Sequence, residues 1–152
     1  MTYLSLKKSL RTIRCCLPAT IKSRIFQTSL WIHFYLTRNC NLNCVYCDSK
    51  DNTKKDISTE KVKKIIDKLY SLEIRAIAFF GGEPTLRRDF CEILKYSVDK
   101  GIFSYFTTNG TLLNEEYLKR IAETGVDYIE LSVDSIFEFD DSKKDIMLFY
   151  MS

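Results

Sequence analysis

No apolar run in this 152-residue chain approaches the ~20 residues that a membrane-spanning helix needs. Histidine occurs once, as His33; a lone histidine on a strand face more often lines or fills than ligates, so no chemistry is assigned to it. Acidic side chains are missing from residues 1–30, which carry six Lys or Arg at positions 7, 8, 11, 14, 22 and 24. The overall net charge of +3 therefore hides an asymmetry: from residue 31 on, 17 basic residues face 20 acidic ones, a net −3. That balance excludes a nucleic-acid binder by charge and leaves only the leader basic. There is no secretory signal, and three of the six cysteines fall within eight residues, so a reducing interior, the cytoplasm, is expected instead of a disulfide framework.

What is present fits one folded domain. The length suffices for a real core, and 45% hydrophobic with 13% aromatic residues argues against disorder except at the ends. Leu6, Leu10, Ile13, Leu17, Ile21 and Ile25 recur at helical steps, so residues 1–30 read as a basic amphipathic helix interrupted near Pro18. Such a helix suits covering one end or edge of a domain; contact with anionic lipid or a targeting role are the lesser readings. Cys15 and Cys16 point apart on a helix and read as structural.

The informative stretch is Thr37-Arg38-Asn39-Cys40-Asn41-Leu42-Asn43-Cys44-Val45-Tyr46-Cys47. Soft thiolates this dense select iron-sulfur clusters or zinc. Structural zinc sites and electron-transfer clusters normally take four protein ligands, so a tight trio at Cys40, Cys44 and Cys47 points to a 4Fe-4S cluster with one iron left open.

The trio follows a strand-like run, Trp31 to Thr37, and a charged loop over 48–57. Ser58 then caps a helix with Val62, Ile65, Ile66, Leu69 and Leu72 on its apolar stripe. Ala76 to Phe80 reads as a buried strand stopping at Gly81-Gly82, and the next helix turns Phe90, Leu94 and Val98 inward and ends at Gly101. A third strand, Ile102 to Thr107, leads to the turn Asn109-Gly110. Asn114 caps a helix with Leu118, Ile121 and Ala122 on its buried face, closed by Gly125, and Val126 to Val133 forms the fourth strand. Strands alternating with helices predict parallel pairing through right-handed crossovers, an α/β fold whose ligands gather at the carboxyl ends of the strands. Cys40–Cys47, Gly81-Gly82-Glu83-Pro84, Asn109-Gly110 and Ser132-x-Asp134 all fall at such ends.

At these residues the chain resembles the radical S-adenosylmethionine superfamily, whose signature is C-x3-C-x2-C with an aromatic residue, here Tyr46, before the last cysteine. The likeness extends through Gly81-Gly82-Glu83-Pro84, Thr107-Thr108-Asn109-Gly110 and Leu131-Ser132-Val133-Asp134. It implies an incomplete (β/α)6 partial TIM barrel with about four strands present over 31–134, preceded by the leader helix and followed by an acidic, then apolar tail over 135–152. It further implies a 4Fe-4S cluster on Cys40, Cys44 and Cys47, with S-adenosyl-L-methionine on the open iron, cleaved by one electron from a reductant such as a flavodoxin or ferredoxin. In that reading Tyr46 lies near the adenine. Gly81, Gly82, Glu83 and Pro84 receive the methionyl amine, and Asn109, Ser132 and Asp134 hold the ribose or carboxylate.

The missing units suggest a truncated product or fragment, or a half that another chain completes, with an inactive truncated homologue as the alternative. A peptide or a cofactor precursor such as a tetrapyrrole is the implied substrate class. Two rivals remain at this point: an iron-sulfur electron carrier with Cys91 as fourth ligand, and a zinc-stabilised interaction module.

Overall fold

Alternating aromatic and aliphatic side chains drive the first element. The computed structural model, which describes residues 31–132, forms strand β1 over Trp31–Thr37. Ile32, Phe34 and Leu36 pack on the core side while Trp31 and Tyr35 stay exposed on the other, as the two-residue period of a strand requires. Strands β2 (Ala76–Gly81), β3 (Phe103–Thr108) and β4 (Tyr128–Leu131) follow. Helices α1 (Thr59–Ser71), α2 (Phe90–Asp99) and α3 (Glu115–Glu123) occupy the three crossovers. The sheet order is β1-β2-β3-β4, every pair parallel. The α/β architecture of parallel β/α units expected from the sequence is therefore present. The leader over 1–30, the tail over 135–152 and Asp134 lie outside the described residues.

Local chemistry sets the helix starts. The Ser58 hydroxyl accepts from the Lys61 amide at 3.4 Å, and Asn114 Oδ1 accepts from the Tyr117 amide at 2.8 Å, each satisfying a donor the helix itself cannot. Three boundaries differ from expectation. Leu72 is the residue that ends α1 and is exposed, because the stripe stops at Leu69. Ala122 is exposed, since it sits about 100° round the helix from Ile121, and Leu118 and Ile121 fill the buried face with Tyr117 packed against it. β4 is shorter than 126–133: Asp127 is held by Ser104 through backbone and side chain before the strand begins.

The three helices bury one face of the sheet. Val62 and Ile66 of α1, Phe90, Ile93 and Leu94 of α2, and Leu118 and Ile121 of α3 meet Leu36, Ile77, Phe79 and Phe106. Phe79, Phe90 and Phe106 are fully buried, each contributing roughly 1.5–3 kcal/mol of transfer free energy. On the opposite face rings run across all four strands: His33 to Phe80 at 4.7 Å, Phe80 to Tyr105 at 6.4 Å and Tyr105 to Tyr128 at 6.3 Å. Among the described residues no helix is long and apolar enough to cross a membrane.

Candidate cluster and cofactor site

The site begins where β1 stops being regular. Tyr35 pairs with Phe80 and Thr37 with Gly81, so Leu36 is an extra residue, a bulge that takes its carbonyl out of the ladder. Arg87, whose side chain is only 4% exposed, donates from Nη1 to that carbonyl at 3.2 Å and from Nη2 to the Ile57 carbonyl at 3.0 Å. Its other bonds go to Asp89, from Nε to Oδ1 at 3.0 Å and from Nη2 to Oδ2 at 2.7 Å, with Asp56 3.8 Å away. One guanidinium thus joins the start and the end of the loop that carries the cysteines. Burial works against the Asp89 charge, but the bonds from Arg87 and Thr59 outweigh it and hold its carboxyl below the ordinary 3.8.

Within that loop the backbone is tied by polar side chains. Thr37 Oγ1 accepts from the Asn39 amide at 3.0 Å, and Asn52 both accepts from the Cys40 amide at 2.9 Å and donates to its carbonyl at 3.2 Å. Cys40 and Cys44 are half-buried and Cys47 is exposed; all are free thiols. The Leu42 amide donates to Cys40 Sγ at 3.4 Å, and the Cys47 amide to the Cys44 carbonyl at 3.1 Å. Tyr46 projects from the same loop, 65% exposed.

Gly81 and Gly82 lie against this loop. The Gly82 amide donates to the Thr37 carbonyl at 2.9 Å and the Glu83 amide to the Asn39 carbonyl at 2.8 Å. A Cβ on Gly82 would stand 2.4 Å from the Asn39 carbonyl oxygen, so only glycine permits the approach. Pro84–Leu86 then winds a short 3-10 turn. The turn carries the Glu83 side chain inward: it is fully buried, and its two oxygens accept from Thr85, Thr108 and Asn109. Both oxygens of the Glu83 carboxylate are thus engaged within the protein.

Asn109 ends β3 beside the cysteines. Its Nδ2 donates to Asn41 Oδ1 at 3.0 Å and lies 4.0 Å from Cys40 Sγ, while Asn41 Nδ2 donates to Thr111 Oγ1 at 2.7 Å. The first three predicted stretches are thus joined to one another by hydrogen bonds, and the fourth joins the third through the Ser132 amide. Ser132 is exposed at the end of β4, its amide on the Thr108 carbonyl at 2.9 Å, and Glu130 accepts from Thr107 Oγ1 at 2.8 Å. Thr37, Asn41, Thr108 and Arg87 stood within or beside the quoted stretches but were given no role of their own from the sequence.

Cys91 sits elsewhere. It packs from α2 against the core, with Tyr117 and Arg120 of α3 as its neighbours, and burial pushes its thiol up. The Tyr117 hydroxyl, likewise pushed up by burial, donates to the Thr85 carbonyl at 3.2 Å. This places Cys91 in the helical layer, so it is no candidate for a fourth ligand in the loop. Among the described residues no three His, Cys, Asp or Glu side chains are grouped as they stand for a single metal ion. A cubane places each thiolate on a different iron, which suits three sulfurs spread along one loop with amide donors nearby.

Comparison with known proteins agrees with that donor set. The model of the radical SAM superfamily matches residues 34–148. The chain belongs to the radical SAM superfamily. Among relatives of this radical SAM chain, Fe-coproporphyrin III synthase of Methanosarcina barkeri is 42% identical over 109 residues, covering 70% of this chain and 27% of the relative. PqqA peptide cyclase of Bradyrhizobium diazoefficiens is 30% identical over 116 residues, covering 74% and 30% respectively. Among solved structures, BtrN in an open conformation superposes with a TM-score of 0.61 at 22% identity, over 71% of this chain and 52% of that one. SuiB of Streptococcus suis bound to S-adenosylmethionine gives 0.58 at 22% identity, over 92% and 31%. The fold is thus shared with radical SAM enzymes of partial TIM-barrel architecture, and the chain spans less than a third of the length of these two curated relatives.

Proposed function

We propose that this chain is the cluster- and cofactor-binding part of a radical S-adenosylmethionine enzyme that modifies a peptide or a cofactor precursor, working in the cytoplasm with a flavodoxin or ferredoxin as reductant. The observation that carries the reading is the direct hydrogen bonding of the cysteine loop, the Gly81-Gly82 turn and the Asn109 turn at the carboxyl ends of three adjacent strands. Cys40, Cys44 and Cys47 would hold a 4Fe-4S cluster. When bound, cluster and S-adenosylmethionine together supply a one-electron cleavage that generates a carbon radical, chemistry no side chain provides.

The chain's own residues bind and orient. Gly81, Gly82 and Glu83 are proposed to receive the methionyl amine on carbonyl oxygens, since the Gly82 and Glu83 amides are donated to the loop. Asn109, Ser132 and Asp134 are proposed for the ribose or carboxylate, and Tyr46 for the adenine face. Pro84 keeps the turn in place by its fixed φ at the start of the 3-10 segment. Among the described residues β4 pairs only with β3, so further β/α units or a completing chain would join at β4. The ring-lined sheet face is proposed as the wall toward the substrate.

An anaerobic experiment tests this. The full chain is reconstituted with iron and sulfide, reduced, and its EPR spectrum recorded with and without S-adenosylmethionine, with 5'-deoxyadenosine assayed alongside. A spectral change on addition of S-adenosylmethionine is expected. A cluster whose spectrum ignores the compound would remove the reading.

A further inference from the structure

The carboxylate of Glu83 is fully buried within the site's framework, with both oxygens held by the protein's own donors. Its Oε1 accepts from the Thr85 amide at 3.1 Å, Thr85 Oγ1 at 2.5 Å and Thr108 Oγ1 at 2.8 Å; its Oε2 accepts from the Asn109 amide at 2.7 Å. A carboxylate removed from water is tolerated only when its lone pairs are taken by donors. Here the donors come from the turn after β2 and from the end of β3. The same residue's amide reaches a third segment, the Asn39 carbonyl.

We infer that Glu83 is a positioning residue whose carboxylate sets the placement of Asn109 against the cysteine loop. The path is short and fully polar. Glu83 Oε2 holds the Asn109 amide, and Asn109 Oδ1 accepts from the Thr111 amide at 3.0 Å and from Thr111 Oγ1 at 2.7 Å. That leaves Asn109 Nδ2 aimed at Asn41 and Cys40. Thr108 adds a second tie, donating its hydroxyl to Glu83 and accepting from the Gly110 amide at 3.0 Å. In Glu83→Gln one oxygen becomes an NH2 group. Whichever way that amide turns, its NH2 group meets a backbone N–H donor to donor, that of Asn109 at one position or that of Thr85 at the other. Shape is kept and the register of the joint is lost.

The inference rests on the proposed function only for its effect on cofactor binding, and the test separates the two. In metal-free full-length protein, backbone hydrogen exchange at Asn109 and Gly110 is compared for wild type, Glu83→Gln and Thr85→Val. About tenfold faster exchange is expected in Glu83→Gln and a smaller increase in Thr85→Val, which removes one donor and keeps the carboxylate. Exchange unchanged in both overturns the joint. If Glu83→Gln fails to fold, Thr85→Val alone decides by the same criterion.

In the reconstituted protein, S-adenosylmethionine affinity is then measured for Glu83→Gln, Asn109→Ala and the double variant. A residue acting through Asn109 gives losses that do not add: the double variant binds about as weakly as the weaker single one. Losses that multiply would show an independent contact and overturn the positioning role. A wild-type protein that takes up no cluster would sink the radical SAM reading, while the metal-free exchange comparison would still decide the joint.

Discussion

Replacing Gly82 by alanine should separate the two halves of the site by the width of a methyl group. The added Cβ would meet three backbone atoms: the Asn39 carbonyl oxygen at 2.4 Å, the Asn39 carbonyl carbon at 2.8 Å and the Arg38 carbonyl oxygen at 2.9 Å. None is the far end of a flexible side chain, so the turn itself must withdraw. Two bonds then stretch, from the Gly82 amide to Thr37 and from the Glu83 amide to Asn39. Each is worth about 1 kcal/mol net, and forcing a methyl into packed backbone costs about 1–3 kcal/mol. Together these come to an expected loss of about 3–5 kcal/mol. At roughly 2–4 °C per kcal/mol for a chain of 152 residues, melting should fall by about 6 °C or more.

Gly101→Ala is the matched control, because no atom lies within 4 Å of its added Cβ and only its φ of +82° is strained. That strain costs about 1 kcal/mol. Thermal unfolding of both variants by circular dichroism gives the comparison, and iron retained after reconstitution shows whether the cysteine loop has moved. Gly82→Ala melting as high as Gly101→Ala, with iron content unchanged, would refute the close-approach argument.

Two further outcomes follow from the same framework. Cys44→Ala should lose most of its reconstituted iron while Cys91→Ala keeps wild-type iron content, since Cys91 packs in the helical layer; equal losses would mean that Cys91 ligates after all. Arg87→Met should destabilise by about 3 kcal/mol, because it strips donors from two carbonyls and leaves Asp89 without its partner. The folded Asp89 carboxyl lies below its ordinary 3.8, so its contribution is intact above that value and fades as pH drops through the depressed one. Denaturant midpoints of wild type should accordingly fall in that acid range, and those of Arg87→Met should fall less; parallel pH profiles would contradict the ion-pair account.

Helix starts, strand ends and the cysteine spacing were legible because each depends on neighbours in sequence. Ser58 and Asn114 cap their own next turn, and glycine pairs and asparagine turns mark where strands stop. The errors came where one residue's fate is decided by another segment. Ala122 lost its inward place because Tyr117 turned in beside Leu118, and β4 begins late because Asp127 is engaged by Ser104. The burial of Glu83 was not legible either, because it depends on donors from residues 108 and 109, about 25 positions away. Arg87 was invisible for the same reason: nothing local tells that its fork will find the Leu36 and Ile57 carbonyls.

The doubled residue at Leu36 makes the strand count before the cysteines odd where an unbroken ladder would make it even. Deleting Leu36 would leave Tyr35 against Phe80 and Thr37 against Gly81 in an unbroken ladder, and would remove the carbonyl that Arg87 holds. Transplanting residues 38–57 onto a foreign parallel strand would therefore fail unless the irregularity and an arginine to seize its orphaned carbonyl travelled together.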